Sequence, residues 1–273
     1  MWCNMINMKH VFTIVYKDTL EIMSDRGVFI PVFIFPFIFS LVMPLALVIG
    51  DVSFSVVDYI GGARTFIDQL PEQVIPKSID HHHSIVYAVL MYFFIPFFIL
   101  IPVFVSSMLA TTSFTGEKEH QTIEGLLYTP ITNKELMLGK ILVSGIPSIL
   151  LTWISVLIYG IIVNVYGVKV LGEIIFPNFS WIMVTFLIAP LITFLSISLV
   201  VAVSQRVNTS KSAQSISMIL ILPIIGFIIS QANGVFLFGP MISVILVVVL
   251  VIVDIVVYLA ISKRFNSDKL LTK

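Results

Sequence analysis

An all-α integral membrane protein with six transmembrane helices is the fold class the sequence predicts, on three observations. Apolar residues make up 58% of the 273-residue chain and charged residues only 11%, against about 25% charged in typical soluble domains. The mean hydropathy is +1.09, and apolar runs near the roughly 20 residues a span needs recur along the chain. Lys and Arg are shared unequally between alternate connections, 12 on one side and 3 on the other. The net formal charge is zero, which removes a basic nucleic-acid-binding protein from consideration, and the single Cys3 excludes an internal disulfide and a cysteine zinc cage.

Taken in order, residues 9–26 carry Phe12, Val15, Tyr16, Leu20 and Met23 as an apolar stripe at helical spacing. His10, Lys17, Glu21 and Ser24 stand opposite. This predicts an amphipathic helix lying in the membrane interface. Span 1 is expected over 28–49, where sixteen Val, Ile, Leu or Phe residues favour insertion by roughly 5–10 kcal/mol. Its uncharged run of 24 residues exceeds the roughly 7–15 of a signal-peptide core, so it reads as a retained span. Pro31, Pro36 and Pro44 are expected to kink it. An outer hydrophilic loop covers 51–85 and ends in His81-His82-His83. Span 2 follows over 86–110 with Pro96 and Pro102. Spans 3 and 4 are placed at 140–164 and 180–203, with Lys169 and Glu173 in a short loop between them. The 42 uncharged residues from Ser212 to Val253 are too many for one span. Gln231-Ala232-Asn233-Gly234 divides them into span 5 (213–230) and span 6 (238–261). The whole of 1–273 reads as a single transmembrane domain.

Between spans 2 and 3 lies a polar segment, 114–139. Together with Lys140, which follows it, the segment carries seven charges in the 24 residues from Glu117: Glu117, Lys118, Glu119, Glu124, Lys134, Glu135 and Lys140. At mid-bilayer they would cost on the order of 20 kcal/mol together, so the segment lies outside the hydrocarbon. Glu117–Tyr128 lacks Pro and sets Ile123, Leu126 and Leu127 on one helical face. A short amphipathic helix starting at Glu117 is expected, with its acids in the first turn. Pro130 ends it, and Thr132-Asn133-Lys134-Glu135 reads as a capping box opening the next helix.

Six spans place both termini on one side of the membrane. By the positive-inside rule that side is the cytoplasm, because the richer set of Lys and Arg lies on the termini, this polar segment and the 205–211 turn. The expected location is the cell membrane, multi-pass, in contact with lipid.

A charged helix between spans 2 and 3 of a six-span chain resembles the membrane subunit of ABC-2 type transporters. The residues that carry the likeness are Gly116-Glu117-Lys118-Glu119, Thr122-Ile123-Glu124, Leu126-Leu127, Pro130, Thr132, Glu135 and Gly139-Lys140. The resemblance implies a permease of an ATP-driven exporter. Two copies, or this chain and a sister permease, would form the pathway. A cytoplasmic ABC ATPase subunit would dock on the segment as its coupling helix. The expected coupling residues are Gly116, Glu117, Lys118, Glu119, Thr122, Glu124, Leu126, Leu127 and Pro130. ATP and Mg are expected on that partner and no cofactor on this chain. In keeping with this, the sequence holds no G-x-x-x-x-G-K-[ST] phosphate cradle: Lys134 stands five residues before Gly139.

Two further constellations stand outside the motif. His81, His82 and His83 are candidate metal ligands, but adjacent residues do not easily converge on one ion, so a polar loop end is the plainer reading and no metal is expected. Asp254 is the formal charge inside span 6, a candidate intramembrane polar site. An intramembrane enzyme would need paired acids, His ligands or a nucleophile with its base on facing spans; the spans offer Asp254 alone. The alternative reading is an ion-coupled carrier without an ATPase partner, supported by the prolines that interrupt spans 1 and 2.

Overall fold

The computed structural model describes residues 7–53, 86–119, 131–204, 207, 209–233 and 238–264. Among these every regular element is helical, and six stretches are long and apolar enough to cross a membrane. They are Arg26–Ile49, Val86–Gly116, Lys134–Val170, Phe179–Ser204, Ser210–Ala232 and Pro240–Ala260, spans 1 to 6 below. The chain is an all-α membrane protein.

A surface helix, Met8–Ser24, precedes them. The Asn7 side chain accepts from the N–H of Lys9 at its start, and Asp25 separates it from span 1 by accepting from the N–H of Gly27 at 2.8 Å. The helix has two apolar faces. Phe12, Tyr16, Leu20 and Met23 are exposed, as a helix lying in the headgroups requires. Val11, Ile14, Asp18 and Ile22 are buried against the spans.

Prolines accompany four of the irregular turns in the spans. A proline removes the bond its N–H would give the carbonyl four residues back. For Pro44, Pro96, Pro190 and Pro223 those residues are Ser40, Tyr92, Phe186 and Ile219. All four lie inside irregular turns: the π-helical turns Ile38–Val42, Val89–Phe93 and Val184–Ile188, and the 3₁₀ turn Met218–Leu220. Pro31 and Pro36 sit within the α-helical stretch Arg26–Phe37, so in span 1 the irregular turn falls between Pro36 and Pro44.

Span 2 is the axis of the bundle. Of its most apolar stretch 83% is buried, against 22% for span 1, 12% for span 5 and 17% for span 6. It packs on spans 1, 3, 4 and 5, while span 6 packs on span 4. Spans 2 and 4 approach closely enough for Ser107 and Ser196 to share a hydrogen bond of 2.7 Å, as small hydroxyl residues allow between membrane helices. Toward the far end of the bundle from the surface helix, Phe98, Tyr159, Phe176 and Trp181 pack ring on ring; Tyr159 stacks on Trp181 at 4.8 Å and Phe98 meets Trp181 edge-on at 4.9 Å.

Two boundaries differ from expectation. The helix of span 2 runs unbroken from Ile95 to Glu119, so Glu117-Lys118-Glu119 form its closing turn rather than the first turn of a separate helix. No proline follows Pro102 to end the run, and the hydroxyls of Ser106 and Thr112 donate to carbonyls one turn earlier, inside the helix. Span 3 likewise continues past Asn164 through Tyr166 and a π-helical turn, Gly167–Leu171. Lys169 therefore sits on helix, not in a loop.

Candidate functional site

The site is built where the surface helix crosses the two roots of the polar segment, the end of span 2 and the start of span 3. At its centre is Asp18, 2% exposed. The hydroxyl of Ser113, on span 2, donates to Asp18 Oδ2 at 2.6 Å. Lys140 Nζ, on span 3, stands 3.5 Å from the same oxygen and is 3% exposed. That ammonium also donates to the Ser113 carbonyl and lies 5.7 Å from the centre of the Phe114 ring. Lys17 faces Asp18 Oδ1 at 3.4 Å from the solvent side. One buried acid thus joins three helices.

Close packing accompanies the pair. Beside Lys140 is Gly139, and a Cβ there would come within 2.8 Å of Ile14 Cγ2. Only a residue without a side chain lets the surface helix approach span 3 this closely.

A second contact lies one turn toward the start of span 3. Thr132 caps the helix that begins at Asn133, and its hydroxyl accepts from the N–H of Glu135 while Glu135 Oε2 accepts from the N–H of Thr132 at 2.9 Å. This is the expected capping box, and it has a further use. The other carboxylate oxygen accepts from the N–H of Asn7 at 2.7 Å, and His10 Nδ1 lies 3.2 Å from Oε2. Glu135 belongs to the polar segment 114–139, whose charges keep it outside the hydrocarbon. The N–H groups of Thr132 and Asn7 hold its carboxyl down at about 2, well below the usual carboxylate range. The side chain that starts span 3 therefore also anchors the surface helix.

A family model described as ABC-2 family transporter protein matches residues 12–242. The chain belongs to the ABC-2 transporter family. The match begins within the surface helix and ends at the start of span 6. No curated protein and no solved structure matches the chain. The protein is a permease of the ABC transporter class, a transmembrane component.

The expected coupling residues of this ABC-2 permease divide by position. Gly116 is buried in the last turns of span 2, where the nearest atom to a Cβ would be a Glu21 carboxylate oxygen at 3.9 Å. Glu117, Lys118 and Glu119 close that helix. Thr122, Glu124, Leu126, Leu127 and Pro130 lie outside the described residues, as do His81, His82 and His83. Among the described residues no group of three or more His, Cys, Asp or Glu converges as metal ligands would. Asp254 is 7% exposed, on the span that packs against span 4, and neither carboxylate oxygen has a hydrogen-bond partner among the described residues.

The residue that sequence reading missed is Asp18. Its signal was present: Val11, Ile14, Asp18 and Ile22 form a second helical stripe, with an acid inside otherwise apolar positions. An acid so placed needs a buried partner, and Lys140 at the root of span 3 supplies it.

At the opposite end of the permease the contacts between spans, among the described residues, are neutral hydrogen bonds. Three consecutive carbonyls in the π-helical turn of span 2 each accept from a different span. The Tyr159 hydroxyl of span 3 donates to the carbonyl of Leu90, Trp181 Nε1 of span 4 to that of Met91 at 3.0 Å, and Gln231 Nε2 of span 5 to that of Tyr92 at 2.8 Å. The Tyr92 carbonyl is the one that Pro96 leaves without its usual donor. Trp153 of span 3 likewise donates to a backbone carbonyl of span 4, that of Thr185 at 2.9 Å, in the π-helical turn before Pro190 and next to the Phe186 carbonyl that Pro190 leaves free.

Proposed function

We propose that this permease takes the motion of a cytoplasmic ABC ATPase through residues 114–139 and passes it to spans 2 and 3. The observation that carries the reading is the tie made by Asp18, which holds Ser113 and Lys140 at the two roots of the segment. A push on the segment then moves span 2, span 3 and the surface helix together rather than flexing one of them. Gly116, Glu117, Lys118, Glu119, Thr122, Glu124, Leu126, Leu127 and Pro130 are the proposed docking residues. ATP and Mg belong on the partner. The distribution of Lys and Arg supports a cell-membrane protein with cytoplasmic termini, and a second permease copy or a sister permease completes the pathway, which serves export.

Purification of the full chain in mild detergent from its host membranes tests this. A P-loop ATPase near one-to-one with the chain is expected, and Glu117→Ala with Glu119→Ala should release it. Asp18→Asn should leave the ATPase bound while uncoupling its hydrolysis from transport. Absence of any ATPase, under conditions that keep a control ABC complex intact, would sink the reading. The carboxyl of Asp254, which has no hydrogen-bond partner among the described residues, is the observation that favours an ion-coupled carrier instead. That reading requires gradient-driven transport in liposomes without ATP, lost in Asp254→Asn.

A further inference from the structure

We propose that a groove on the lipid-facing side of span 3 is a binding site for an anionic phospholipid. The groove encloses about 700 Å³, within the ~300–1,000 Å³ of small-ligand sites. Leu157, Ile161, Val165 and Val168 form its floor on span 3, and Ile174 and Phe176 rise beside them from the chain that follows. Its apolar side chains are well exposed, Ile161 at 65% and Ile174 at 75%.

Two contacts keep the groove shaped. The Phe176 ring lies over Gly160, where a Cβ would come within 2.5 Å of it. The Asn164 side chain grips the backbone of Phe176, donating to its carbonyl and accepting from its N–H, both at 2.9 Å. The returning chain is thereby pinned across the helix, and a slot remains beside it.

Lys169 stands at the rim of the slot, exposed and without an ion-pair partner among the described residues. From Leu157 to Lys169 the helix rises about 18 Å at roughly 1.5 Å per residue. That is close to the depth of one leaflet, half of a hydrocarbon core of about 30 Å. With Lys169 among the headgroups, the floor descends through the acyl region of the same leaflet. An apolar slot one leaflet deep, with the Lys169 side chain at its rim, fits an acyl chain beneath an anionic headgroup. A zwitterionic lipid fills the slot but brings no net charge to the lysine.

The test uses the purified, delipidated full chain offered dioleoyl phosphatidylglycerol or dioleoyl phosphatidylcholine, with retained lipid counted by native mass spectrometry. The wild type should retain the anionic lipid about fivefold better, the preference one lysine near a membrane surface provides. Lys169→Gln should bring the two lipids level, Lys169→Arg should keep the preference, and Val165→Trp should lower retention of both. Lys134→Gln, at the opposite end of the same span, should change nothing. Equal retention by the wild type, an undiminished preference in Lys169→Gln, or displacement of the anionic lipid by inorganic phosphate would each overturn the proposal.

Discussion

At the end that carries the polar segment, spans 2 and 3 are joined through a buried acid and a buried cation, Asp18 and Lys140. At the other end, spans 2 to 5 are joined by three neutral donors, Tyr159, Trp181 and Gln231, each on a backbone carbonyl. The two fastenings fail differently. Removing one member of a buried ion pair strands the other charge, which costs about 3–5 kcal/mol. Removing a neutral hydrogen bond between membrane helices costs about 0.6 kcal/mol on average and up to about 1.7. The first end is therefore built to stay together under load, and the second to let spans part at low cost, one donor at a time.

That contrast is broken most severely at Asp18. Asp18→Ala leaves Lys140 buried without its carboxylate, and a loss of about 3–5 kcal/mol is expected in unfolding from mixed micelles. The double change Asp18→Leu with Lys140→Met removes both charges and should recover most of that loss, since apolar residues of similar volume replace buried pairs well. A single change that costs under about 1 kcal/mol would show that Asp18 is hydrated and the tie is not what holds the roots.

Next in size is Gly139→Ala, where two principles predict opposite signs. Helix propensity favours alanine over glycine by about 1 kcal/mol. The contact with Ile14, 2.8 Å from the new Cβ, predicts a loss of about 1–3 kcal/mol from overpacking. A loss is expected, because the Ile14 neighbours include its own Cβ, which no rotamer can move away. Ile14→Ala removes the Cγ2 and Cδ1 contacts, so the double mutant should lose less than the sum of the two single changes. A Gly139→Ala variant that is more stable than wild type would mean that the surface helix rides freely over span 3.

The neutral end should respond more weakly. Tyr159→Phe and Gln231→Leu each remove one donor while keeping most of the shape, and each should cost about 0.6–1.7 kcal/mol. Amide exchange over Val89–Phe94 should rise in both, as the carbonyls of the π-helical turn lose their partners. A cost as large as that of Asp18→Ala would erase the difference between the ends.

The two ends were also unequally legible in the sequence. Apolar runs and charge placement are properties of single segments, so the six spans could be read from residues alone. The capping box at Thr132 and Glu135 could be read because it closes over four residues. What joins Asp18 to Lys140, or Gln231 to the carbonyl of Tyr92, is a meeting of residues more than a hundred positions apart, and local periodicity holds no record of it. The end of span 2 differs from the sequence expectation for a related reason. Acids at Glu117 and Glu119 suit the start of a helix, yet the helix arriving from the membrane had no signal to stop before them. The prolines are half-legible: the sequence shows that the spans are interrupted, while the donor that meets the freed Tyr92 carbonyl, Gln231, comes from another span.

The smallest effect, and the one that isolates the surface helix from the spans, is the pH dependence of Glu135. Its carboxyl is held at about 2 in the folded chain against an ordinary value of 4.5. A depressed carboxylate stabilises the structure fully above its ordinary value and loses that contribution as the pH falls through the folded value. The attachment of Asn7 and His10 to Glu135 should thus persist down to about pH 4.5 and weaken from there to about 2. A fluorophore on Cys3, the single cysteine of the chain, should report the release of the surface helix within that window. In Glu135→Gln the same acid-dependent change should be absent, because an amide carries no charge to lose. If Glu135→Gln keeps the transition, the Glu135 carboxylate is not what holds the surface helix, and its attachment would then rest on the contacts at Asp18 instead.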